Sequence, residues 1–587
     1  MQISFFSAVP WIWLVAVIEY ILLNRRTGLL GLLRIMCVYA LTAVAALLPM
    51  SLAGHTPEPS QMWFAAGAAF LFQLAWPLLF RISRGRRESS YDHGADAAVG
   101  MLAFGVLCTL LQLGGPFAWL VGPLELLLLT SVVIQTVFYV LYGTCMDAYG
   151  YRLMTQTNTN EVIEFMRYYP WWVSAMIAAG LIAITGLSIW LDLPAAAMPP
   201  ARPAFLVAGA GALCVALMCA GGRRSLLSRS GFVSFMIAKA DKARRLGSYP
   251  EHRAERRRGI DVRPQGKPYD GPSTVMLVIG ESANRDYMSA FRDDMERDTT
   301  PWLNAMRRTD AGHWMTFPNA YSCGMHTFAA LEEALTEKNQ HHAADFSRAT
   351  NIIDIARAAG RRVHWYSNQG HLGASLSQVS VIADEADEAR WTDQHPGLPP
   401  YDAELLPMLG GVNPAVDNLV VVHLKGNHFS FENRYPADFD GWKPAGPDDT
   451  VTTYHNTMLY VDRILQQLWE RGCRDLNLKA MVYCSDHAII PEKHRAPVFS
   501  GFGDVRIPLA VWTSDDFINA HPESYAALQA NRNACWTNDF LFDLMCGMMG
   551  VTTPRSNPAN SLCSGDYAHR RETLTVLSGT VRLSDDR

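Results

Sequence analysis

Long apolar runs dominate the N-terminal part of this chain and constrain its fold more than any other feature. Seven runs, each near the ~20 residues that cross a bilayer core, lie at 8–24, 30–53, 62–80, 97–113, 117–141, 171–191 and 203–221. A single run is equally typical of a core helix in a soluble protein. The succession predicts an N-terminal α-helical transmembrane bundle over 1–221, with five to seven helices and a polar loop at 142–170.

A basic stretch follows the last apolar run and predicts a linker over 222–270. It includes the consecutive residues Arg256, Arg257 and Arg258. Two interpretations remain open for this stretch. It is either a solvated linker or a surface helix whose arginines rest on anionic lipid headgroups.

From residue 271 the composition becomes that of a soluble α/β domain, which we place at 271–587. Apolar strands are predicted at 273–280, 418–424 and 480–484, and helices at 328–337, 350–360 and 452–470. Strands that are buried on both faces and alternate with helices predict a largely parallel sheet covered by helices. The net charge of −5 gives no support for nucleic-acid binding.

Polar residues cluster where these predicted elements begin and end. In a parallel sheet of this kind the ligand site lies beyond the carboxyl ends of the strands. The segments 280–282, 322–327, 423–428 and 485–487 carry the relevant side chains. Among them, Glu281, Asp486 and His487 form a ligand set suited to zinc. A zinc ion with an open position activates a hydroxyl and neutralises phosphoryl oxygens.

Thr327 is the candidate nucleophile of this site. It opens a predicted helix, where unpaired N–H groups stabilise an anion, and a hydroxyl beside a metal ionises readily. His428 and His494 are candidates for holding a phosphate or a second metal. Simpler interpretations stay open: Thr327 as a helix N-cap, His423 as a hydrogen-bonded core histidine, and Lys425 as a solvated side chain.

The soluble half of the chain resembles the membrane-anchored phosphoethanolamine transferases of the alkaline-phosphatase/sulfatase superfamily. The resemblance runs from about 273 to 515. It rests on Val278–Ser282 with Asn284-Arg285, Thr299–Pro301, Phe317–Cys323, Trp365–Gln369, Glu385–Glu388, His423–His428, Arg434–Pro436, Tyr454–Asn456 with Leu459-Tyr460, and Ser485–His487. The Asn-Gln, Glu-Ala-Asp-Glu and Arg-Tyr-Pro elements are most similar to the branch that modifies lipopolysaccharide core heptose. The fold implied is an α/β domain like those of sulfatases and alkaline phosphatase.

The resemblance also implies roles for single residues. It places the metal-bound nucleophile on Thr327, and the Zn2+ ligands on Glu281, Asp486 and His487. Two catalytic or phosphate-binding histidines fall on His428 and His494. Further candidates for substrate binding are Thr157 and Glu161 in the polar loop, and Lys425 and Asn427 in the third segment.

The activity implied is transfer of phosphoethanolamine from phosphatidylethanolamine to an acceptor, through a covalent intermediate on Thr327. The acceptor is lipopolysaccharide, at a core sugar, or another envelope glycan. The implied location is the bacterial inner membrane, as a multi-pass protein whose catalytic domain lies in the periplasm. Alternatives are a phosphoglycerol transferase, a membrane scaffold, and a sulfatase-like hydrolase, although Cys323–Thr327 lacks the Pro and Arg of the sulfatase nucleophile motif.

The chain departs from the family pattern at several points. Asp486-His487-Ala488-Ile489 stands where the family often has Asp-His-Gly-Glu. No second cysteine follows the nucleophile within 328–335, which leaves Cys323 free or paired elsewhere. The partners to consider are Cys473, Cys535, Cys546 and Cys563.

Overall fold

A computed structural model provides the structure of the protein. It describes residues 115–142, 171–196 and 246–586, apart from 370–376, 393–399, 440, 447 and 494–498, together with Arg244 and a few isolated helical residues before 115. The chain divides into two compact units. Met1–Thr157 with Tyr169–Lys242 form the N-terminal unit, and Asn158–Tyr168 with Ala243–Arg587 form the C-terminal unit. Thr157, Glu161, His494 and most of the predicted membrane spans lie outside the described residues.

The described part of the N-terminal unit contains two long apolar helices that contact each other. They are α1 (Val121–Tyr142), which follows a 3-10 turn at Gly115–Leu120, and α2 (Trp171–Ala196). Both coincide with runs that the sequence predicts to be membrane helices. Within the described residues, Gly115–Ile134 is long and apolar enough to cross a membrane.

The C-terminal unit is a layered α/β structure. Its helices are α3 (Arg253–Arg257), α4 (Pro301–Thr309), α5 (Thr327–Ala334), α6 (Ile352–Ala358), α7 (Gln378–Ala383), α8 (Thr450–Asp475), α9 (Asp515–Ala520), α10 (Pro522–Ala530) and α11 (Leu541–Met548). Its strands are β1 (Arg263–Pro264), β2 (Thr274–Gly280), β3 (Trp314–Thr316), β4 (Ala320–Tyr321), β5 (Arg362–Ser367), β6 (Glu388–Trp391), β7 (Asn418–His423), β8 (Leu478–Ser485), β9 (Leu509–Thr513), β10 (Trp536–Thr537), β11 (Val551–Thr552), β12 (Thr575–Val576) and β13 (Val581–Arg582).

The central sheet has seven strands in the order β3-β9-β8-β2-β7-β5-β6. The pairs β8-β2, β2-β7, β7-β5 and β5-β6 are parallel, as the sequence predicts. Strand β9 runs antiparallel to both of its neighbours, so the sheet is mixed. The sequence interpretation did not identify β9, because Leu509–Thr513 follows the polar 486–508 segment without an intervening helix.

The three strands predicted from sequence form the middle of the sheet and are buried on both faces. One face packs on α8 in a single hydrophobic core. Its strand members alternate along the chain, as the period of two in a strand requires; they are Met276 and Val278, Val420 and Val422, and Met481 and Tyr483. Helix α8 faces them with apolar residues at helical spacing, including Tyr454, Met458, Val461, Ile464, Leu465 and Leu468.

The described end of the basic linker packs on the C-terminal unit. Arg256 is only 1% exposed. Its guanidinium pairs with Glu385 and lies 3.5 Å from Asp354. The interpretation of this segment as a helix whose arginines rest on lipid headgroups is therefore wrong for Arg256, because buried carboxylates already hold its charge.

Candidate metal and nucleophile site

The carboxyl ends of four neighbouring parallel strands meet at one edge of the sheet. Strand β2 leads into Glu281, and β8 leads into Asp486 and His487. Strands β7 and β5 end beside them at His423 and Ser367. The sheet thus brings together side chains that are about 200 residues apart in the sequence, as expected for this kind of fold.

Glu281, Asp486 and His487 form a buried cluster. Each offers a ligand atom, and these atoms all lie within 4.8 Å of one another. The Nε2 atom of His487 is 3.3 Å from Glu281 Oε1 and 3.5 Å from Asp486 Oδ2. Two carboxylates this close and shielded from water are stabilised by a cation between them.

The backbone fixes the ring orientation of His487. Its Nδ1 lies 2.9 Å from the carbonyl oxygen of Ala488. A carbonyl oxygen can only accept, so this hydrogen bond requires a proton on Nδ1. In the neutral ring, the lone pair of Nε2 therefore faces Glu281 and Asp486. A histidine that binds a metal through one nitrogen has the other nitrogen held in this way.

The two oxygens of Asp486 have different surroundings. Oδ1 accepts from the backbone N–H groups of Ser282 at 3.0 Å and His487 at 2.6 Å. Oδ2 has no hydrogen-bond partner among the described residues. Burial, as the larger cause, and the neighbouring Glu281 together raise the pKa of the Asp486 carboxyl to about 7. A bound cation would reverse this effect, since it favours the ionised form.

Thr327 is the first residue of α5, and His326 occupies the N-cap position. The Thr327 hydroxyl donates to Glu281 Oε2 at 2.9 Å. The interpretation of Thr327 as an N-cap is therefore wrong, because its side chain is directed to the acidic cluster. At the start of a helix, N–H groups that lack intrahelical acceptors stabilise negative charge on a nearby oxygen.

Two polar side chains hold the Thr327 loop against the metal-ligand segment. The Ser322 hydroxyl donates to the Asp486 carbonyl at 2.5 Å. Asn538 donates to the same carbonyl at 2.7 Å and accepts from the Cys323 N–H at 2.8 Å. Asn538 lies outside every motif noted in the sequence, and no local pattern identifies it. Its role becomes visible only in the folded chain.

Ser282 has an unusual backbone conformation next to Glu281. Its φ of +58° lies in the left-handed region, which costs a non-glycine residue ~1–2 kcal/mol. The Ser282 hydroxyl donates to Glu281 Oε1 at 2.6 Å, and its carbonyl accepts from the Tyr454 hydroxyl at 2.7 Å. These contacts hold the strained turn that positions Glu281, and such strain is common at functional sites.

The third predicted segment packs directly against the backbone of Glu281. Gly426 has a φ of +48°, and a Cβ there would lie 3.1 Å from the Glu281 backbone. Only glycine fits this close approach without strain. The N–H of Asn427 donates to the Glu281 carbonyl at 2.9 Å, and its side-chain amide donates to Thr457 at 2.6 Å. Asn427 is fully buried, and its assignment to substrate binding stays a prediction.

Gln369 is a site residue to which the sequence interpretation gave no role. Its Nε2 lies 3.2 Å from Glu281 Oε2 and donates to the Leu424 carbonyl at 2.7 Å. Its Oε1 lies 3.4 Å from Lys425 Nζ, so Gln369 connects Lys425 with the cluster. Lys425 is buried, which excludes the interpretation of a solvated side chain. Gln369 follows β5 closely, and the rule that site residues follow strand ends could have identified it.

The histidines of the third segment are both buried. His428 is 3% exposed and packs on Phe429, with 4.7 Å between ring centroids. His423 lies in the core, where burial lowers its pKa to about 4. Neither ring nitrogen of His423 has a hydrogen-bond partner among the described residues, so the prediction of a hydrogen-bonded histidine is wrong.

The cysteines of the C-terminal unit are all free thiols in the structure. Cys323 is buried, and its Sγ lies 3.7 Å from the Ala330 carbonyl oxygen. Of the alternatives that the sequence left open for Cys323, the free thiol is the one found. The Thr327 loop is held by hydrogen bonds in place of a disulfide.

Comparison with known proteins finds similarity to one protein family within the C-terminal unit. Residues 273–551 match the sulfatase family model. The phosphoethanolamine transferase EptC of Escherichia coli K12 is 25% identical over 429 residues, covering 66% of this chain and 73% of that protein. The Kdo(2)-lipid A phosphoethanolamine 7''-transferase of the same strain is 28% identical over 316 residues, covering 49% of this chain and 54% of that protein.

One solved structure resembles the chain over most of its length. It is the integral membrane protein lipooligosaccharide phosphoethanolamine transferase A (EptA) from Neisseria meningitidis, with a TM-score of 0.58 and 18% identity. The match covers 88% of this chain and 100% of that chain. At this identity the likeness concerns the fold.

Proposed function

Because the chain has a sulfatase-family domain at 273–551 and resembles the phosphoethanolamine transferases, we propose that it transfers phosphoethanolamine from phosphatidylethanolamine to a lipopolysaccharide acceptor. The acceptor position is a core sugar. The observation that carries this proposal is the Thr327 hydroxyl, 2.9 Å from Glu281 Oε2 at a buried cluster of metal-ligand side chains. This is the arrangement that an activated hydroxyl nucleophile needs.

Glu281, Asp486, His487 and the Thr327 hydroxyl would hold a zinc ion. The fit is supported by the Asp486 oxygen without a hydrogen-bond partner and by the Nε2 of His487, which faces both carboxylates. When bound, zinc would lower the pKa of the hydroxyl and neutralise charge on the phosphoryl group. Catalytic zinc sites typically have three protein ligands and a fourth position for a reacting group, and the Thr327 hydroxyl would take that fourth position here.

In the first step, Thr327 Oγ1 attacks the phosphorus of phosphatidylethanolamine. The bond between Oγ1 and phosphorus forms, and the bond from phosphorus to the glycerol oxygen breaks. The hydroxyl proton leaves along the hydrogen bond to Glu281. Diacylglycerol departs after its oxygen takes up a proton, and His428 is the residue that we assign as this acid. Phosphoethanolamine remains on Thr327.

In the second step, a hydroxyl of the acceptor sugar attacks the same phosphorus and gives its proton to His428, which lost one in the first step. The bond from phosphorus to Oγ1 breaks, and Thr327 regains its proton from Glu281. The N-terminal turn of α5 stabilises the developing charge on the phosphoryl oxygens in both steps, because its N–H groups have no acceptors within the helix. His494, Thr157 and Glu161 are further assignments that rest on the family resemblance.

We place the protein in the bacterial inner membrane as a multi-pass protein, with the C-terminal unit in the periplasm. Two observations support this location. Gly115–Ile134 has the length and apolarity of a membrane span. Helix α2 exposes large apolar side chains, among them Trp171 at 80% and Ile182 at 73%, which is typical of a lipid-facing surface. The similar EptA is also an integral membrane protein.

Mass spectrometry of the peptide that contains Thr327 tests the proposal. The full-length protein is purified with zinc, incubated with phosphatidylethanolamine without acceptor, and digested. We expect a phosphoethanolamine-sized adduct on Thr327, present in Thr327→Ser as the matched hydroxyl control and absent in Thr327→Ala. A phosphoglycerol-sized adduct from mixed lipids would identify a phosphoglycerol transferase. An unmodified Thr327 with unconsumed phosphatidylethanolamine would refute the transferase proposal.

A further inference from the structure

A cavity of about 630 Å³ lies beside the metal and nucleophile site in the C-terminal unit. Ligand-binding pockets usually fall between about 300 and 1,000 Å³. Asn284, Tyr287, Arg297, His455 and Glu492 line part of it. None of these residues has a role in the chemistry proposed for Thr327. We call this cavity the side pocket.

Some residues that line the side pocket lie just after the metal ligands in the chain. Asn284 is three residues beyond Glu281, and its side-chain amide donates to the carbonyls of Ile490 at 3.1 Å and Gly503 at 2.9 Å. Ile490 follows His487 by three residues in the chain. The wall of the pocket is thus built from the same two strand-end segments as the cluster, which places the pocket next to it.

The pocket offers both acceptors and donors to a ligand. Glu492 Oε2 accepts from the Tyr287 hydroxyl at 2.7 Å, and Glu492 Oε1 has no hydrogen-bond partner among the described residues. Arg297 binds Thr452 at 2.9 Å through one terminal nitrogen, and its other terminal nitrogen makes no hydrogen bond within the described part of the chain. Glu492 and Arg297 therefore present one acceptor and one donor.

His455 adds a hydrogen-bond donor, because the position of the proton on its ring can be assigned. Burial, as the larger cause, and the nearby Arg297 together lower its pKa to about 4, so the ring is neutral at pH 7. Its Nδ1 lies 3.3 Å from an Arg297 nitrogen. A guanidinium can only donate, so Nδ1 accepts and Nε2 carries the proton. The Tyr287 ring, which also lines the pocket, lies 6.0 Å from the His455 ring and provides apolar surface.

The charges that line the pocket disfavour a phosphorylated ligand. Four carboxylates, of Asp286, Glu296, Asp449 and Glu492, face two guanidiniums, of Arg292 and Arg297. A phosphate group would be repelled by this excess of negative charge. An uncharged ring with several hydroxyls suits it, because each hydroxyl both donates and accepts, and its C–H face packs on an aromatic ring.

We propose that the side pocket binds an uncharged, hydroxyl-rich sugar of the acceptor glycan, next to the sugar that receives phosphoethanolamine. This inference rests on the proposed transferase function. Glu492 accepts from one sugar hydroxyl, and His455 Nε2 and Arg297 donate to others. The bound sugar anchors the glycan. Its distance along the glycan from Thr327 then determines which sugar receives the phosphoethanolamine group.

Acceptor kinetics with matched variants test the assignment. The full-length protein in detergent receives phosphatidylethanolamine as donor and rough-type lipopolysaccharide as acceptor. We expect Glu492→Ala and His455→Gln each to raise the KM for lipopolysaccharide about tenfold, as the loss of one hydrogen bond to a charged or well-oriented group does. The KM for phosphatidylethanolamine should change less than about twofold, since the donor does not enter the side pocket. Glu523→Ala, an exposed glutamate away from the pocket, is the matched control.

A binding measurement separates this inference from the proposed function. In the Thr327→Ala background, the delipidated core oligosaccharide is titrated by calorimetry. Its affinity should fall about tenfold on adding either Glu492→Ala or His455→Gln, without any need for turnover. An unchanged acceptor KM and an unchanged affinity in both variants would overturn the side-pocket assignment. A failure of the unsubstituted protein to consume phosphatidylethanolamine would instead refute the proposed function.

Discussion

Two clusters of buried carboxylates in the C-terminal unit differ in the side chains that surround them. At the edge of the sheet, Glu281 and Asp486 face each other and His487, and Asp486 has no lysine or arginine partner among the described residues. In the linker cluster, Glu385 and Asp354 are paired with guanidinium groups of α3. The carboxylates of both clusters are almost inaccessible to solvent.

The linker cluster is dense in compensating contacts. The Arg256 guanidinium donates to the carbonyls of Tyr249 at 2.6 Å and Ser347 at 2.8 Å, and lies 3.7 Å above the Tyr249 ring. It also pairs with Glu385, to which the Arg253 Nε donates at 3.0 Å. A buried charge with this many partners is stable within its fold.

The difference between the clusters indicates their roles. At Glu385, positive side chains already neutralise the carboxylate, and these ion pairs hold the linker on the rest of the C-terminal unit. Where a carboxylate lacks such a partner, as at Asp486, the fold has kept a costly arrangement that a cation from solution would stabilise. The two clusters therefore offer a direct test, since the same chemical change is available in each.

We expect the largest effect in the rate of transfer, when Glu281→Gln is compared with Glu385→Gln. Glu281→Gln should lower the rate of transfer about 10³-fold, because it removes a metal ligand and the acceptor of the Thr327 hydroxyl. Glu385→Gln should leave the activity of the folded protein within about threefold, since it acts through packing. Steady-state transfer assays compare the two variants. Equal losses of activity in both would remove the distinction between the clusters.

The next effect concerns stability. Arg256→Ala should lower the free energy of unfolding by about 3–5 kcal/mol, because it leaves Glu385 and Asp354 buried without their central partner. Urea denaturation of the detergent-solubilised protein measures this change. Arg474→Ala, which removes an exposed arginine paired with Asp475, is the control and should cause no measurable change. If Arg256→Ala behaves like this control, the linker cluster contributes nothing to the fold.

The smallest expected effect is a pH dependence of the free energy of unfolding of the metal-free protein. The pKa of Asp486 is about 7 in the fold, raised by burial and by Glu281, against about 3.9 in the unfolded chain. Between these values the folded state keeps a proton that the unfolded state has lost, so stability falls as pH rises from about 4 to about 7 and no longer changes above that range. The slope from this group is at most about 1.4 kcal/mol per pH unit.

Urea denaturation of chelator-treated protein at several pH values measures this slope of the free energy of unfolding against pH. Asp486→Asn should flatten it, and added zinc should flatten it as well, because each removes the titration. A slope that is unchanged in Asp486→Asn would assign the pH dependence to other groups. The comparison with Glu385→Gln, which alters the linker cluster instead, serves as the control.

Much of the central fold could be predicted from the sequence. The runs that became β2, β7 and β8 are continuously apolar, and such runs are typical of strands buried on both faces. Because parallel strands end at one edge, the residues after them were expected to meet, and Glu281, Asp486 and His487 do. The antiparallel β9 was not predicted, since neither its direction nor its partner is encoded by a local pattern.

The supporting contacts of the site were harder to predict. Asn538 reaches the Asp486 carbonyl from a part of the chain more than 50 residues away, and the motifs do not include it. The Glu385–Glu388 motif was noted only as a family feature. The structure shows that Glu385 holds the linker arginines. A sequence pattern can show that a charge is present, but its partner depends on tertiary packing.

Metal analysis of the purified full-length protein shows whether the cluster of Glu281, Asp486 and His487 binds zinc. Metal content is measured by mass spectrometry on the unsubstituted chain, on Asp486→Asn and on Glu385→Gln, all purified in the same zinc-containing buffer and dialysed. We expect about one zinc per chain in the unsubstituted protein and in Glu385→Gln, and a loss of zinc in Asp486→Asn. Equal zinc in all three proteins, or full transfer activity without zinc, would contradict this expectation.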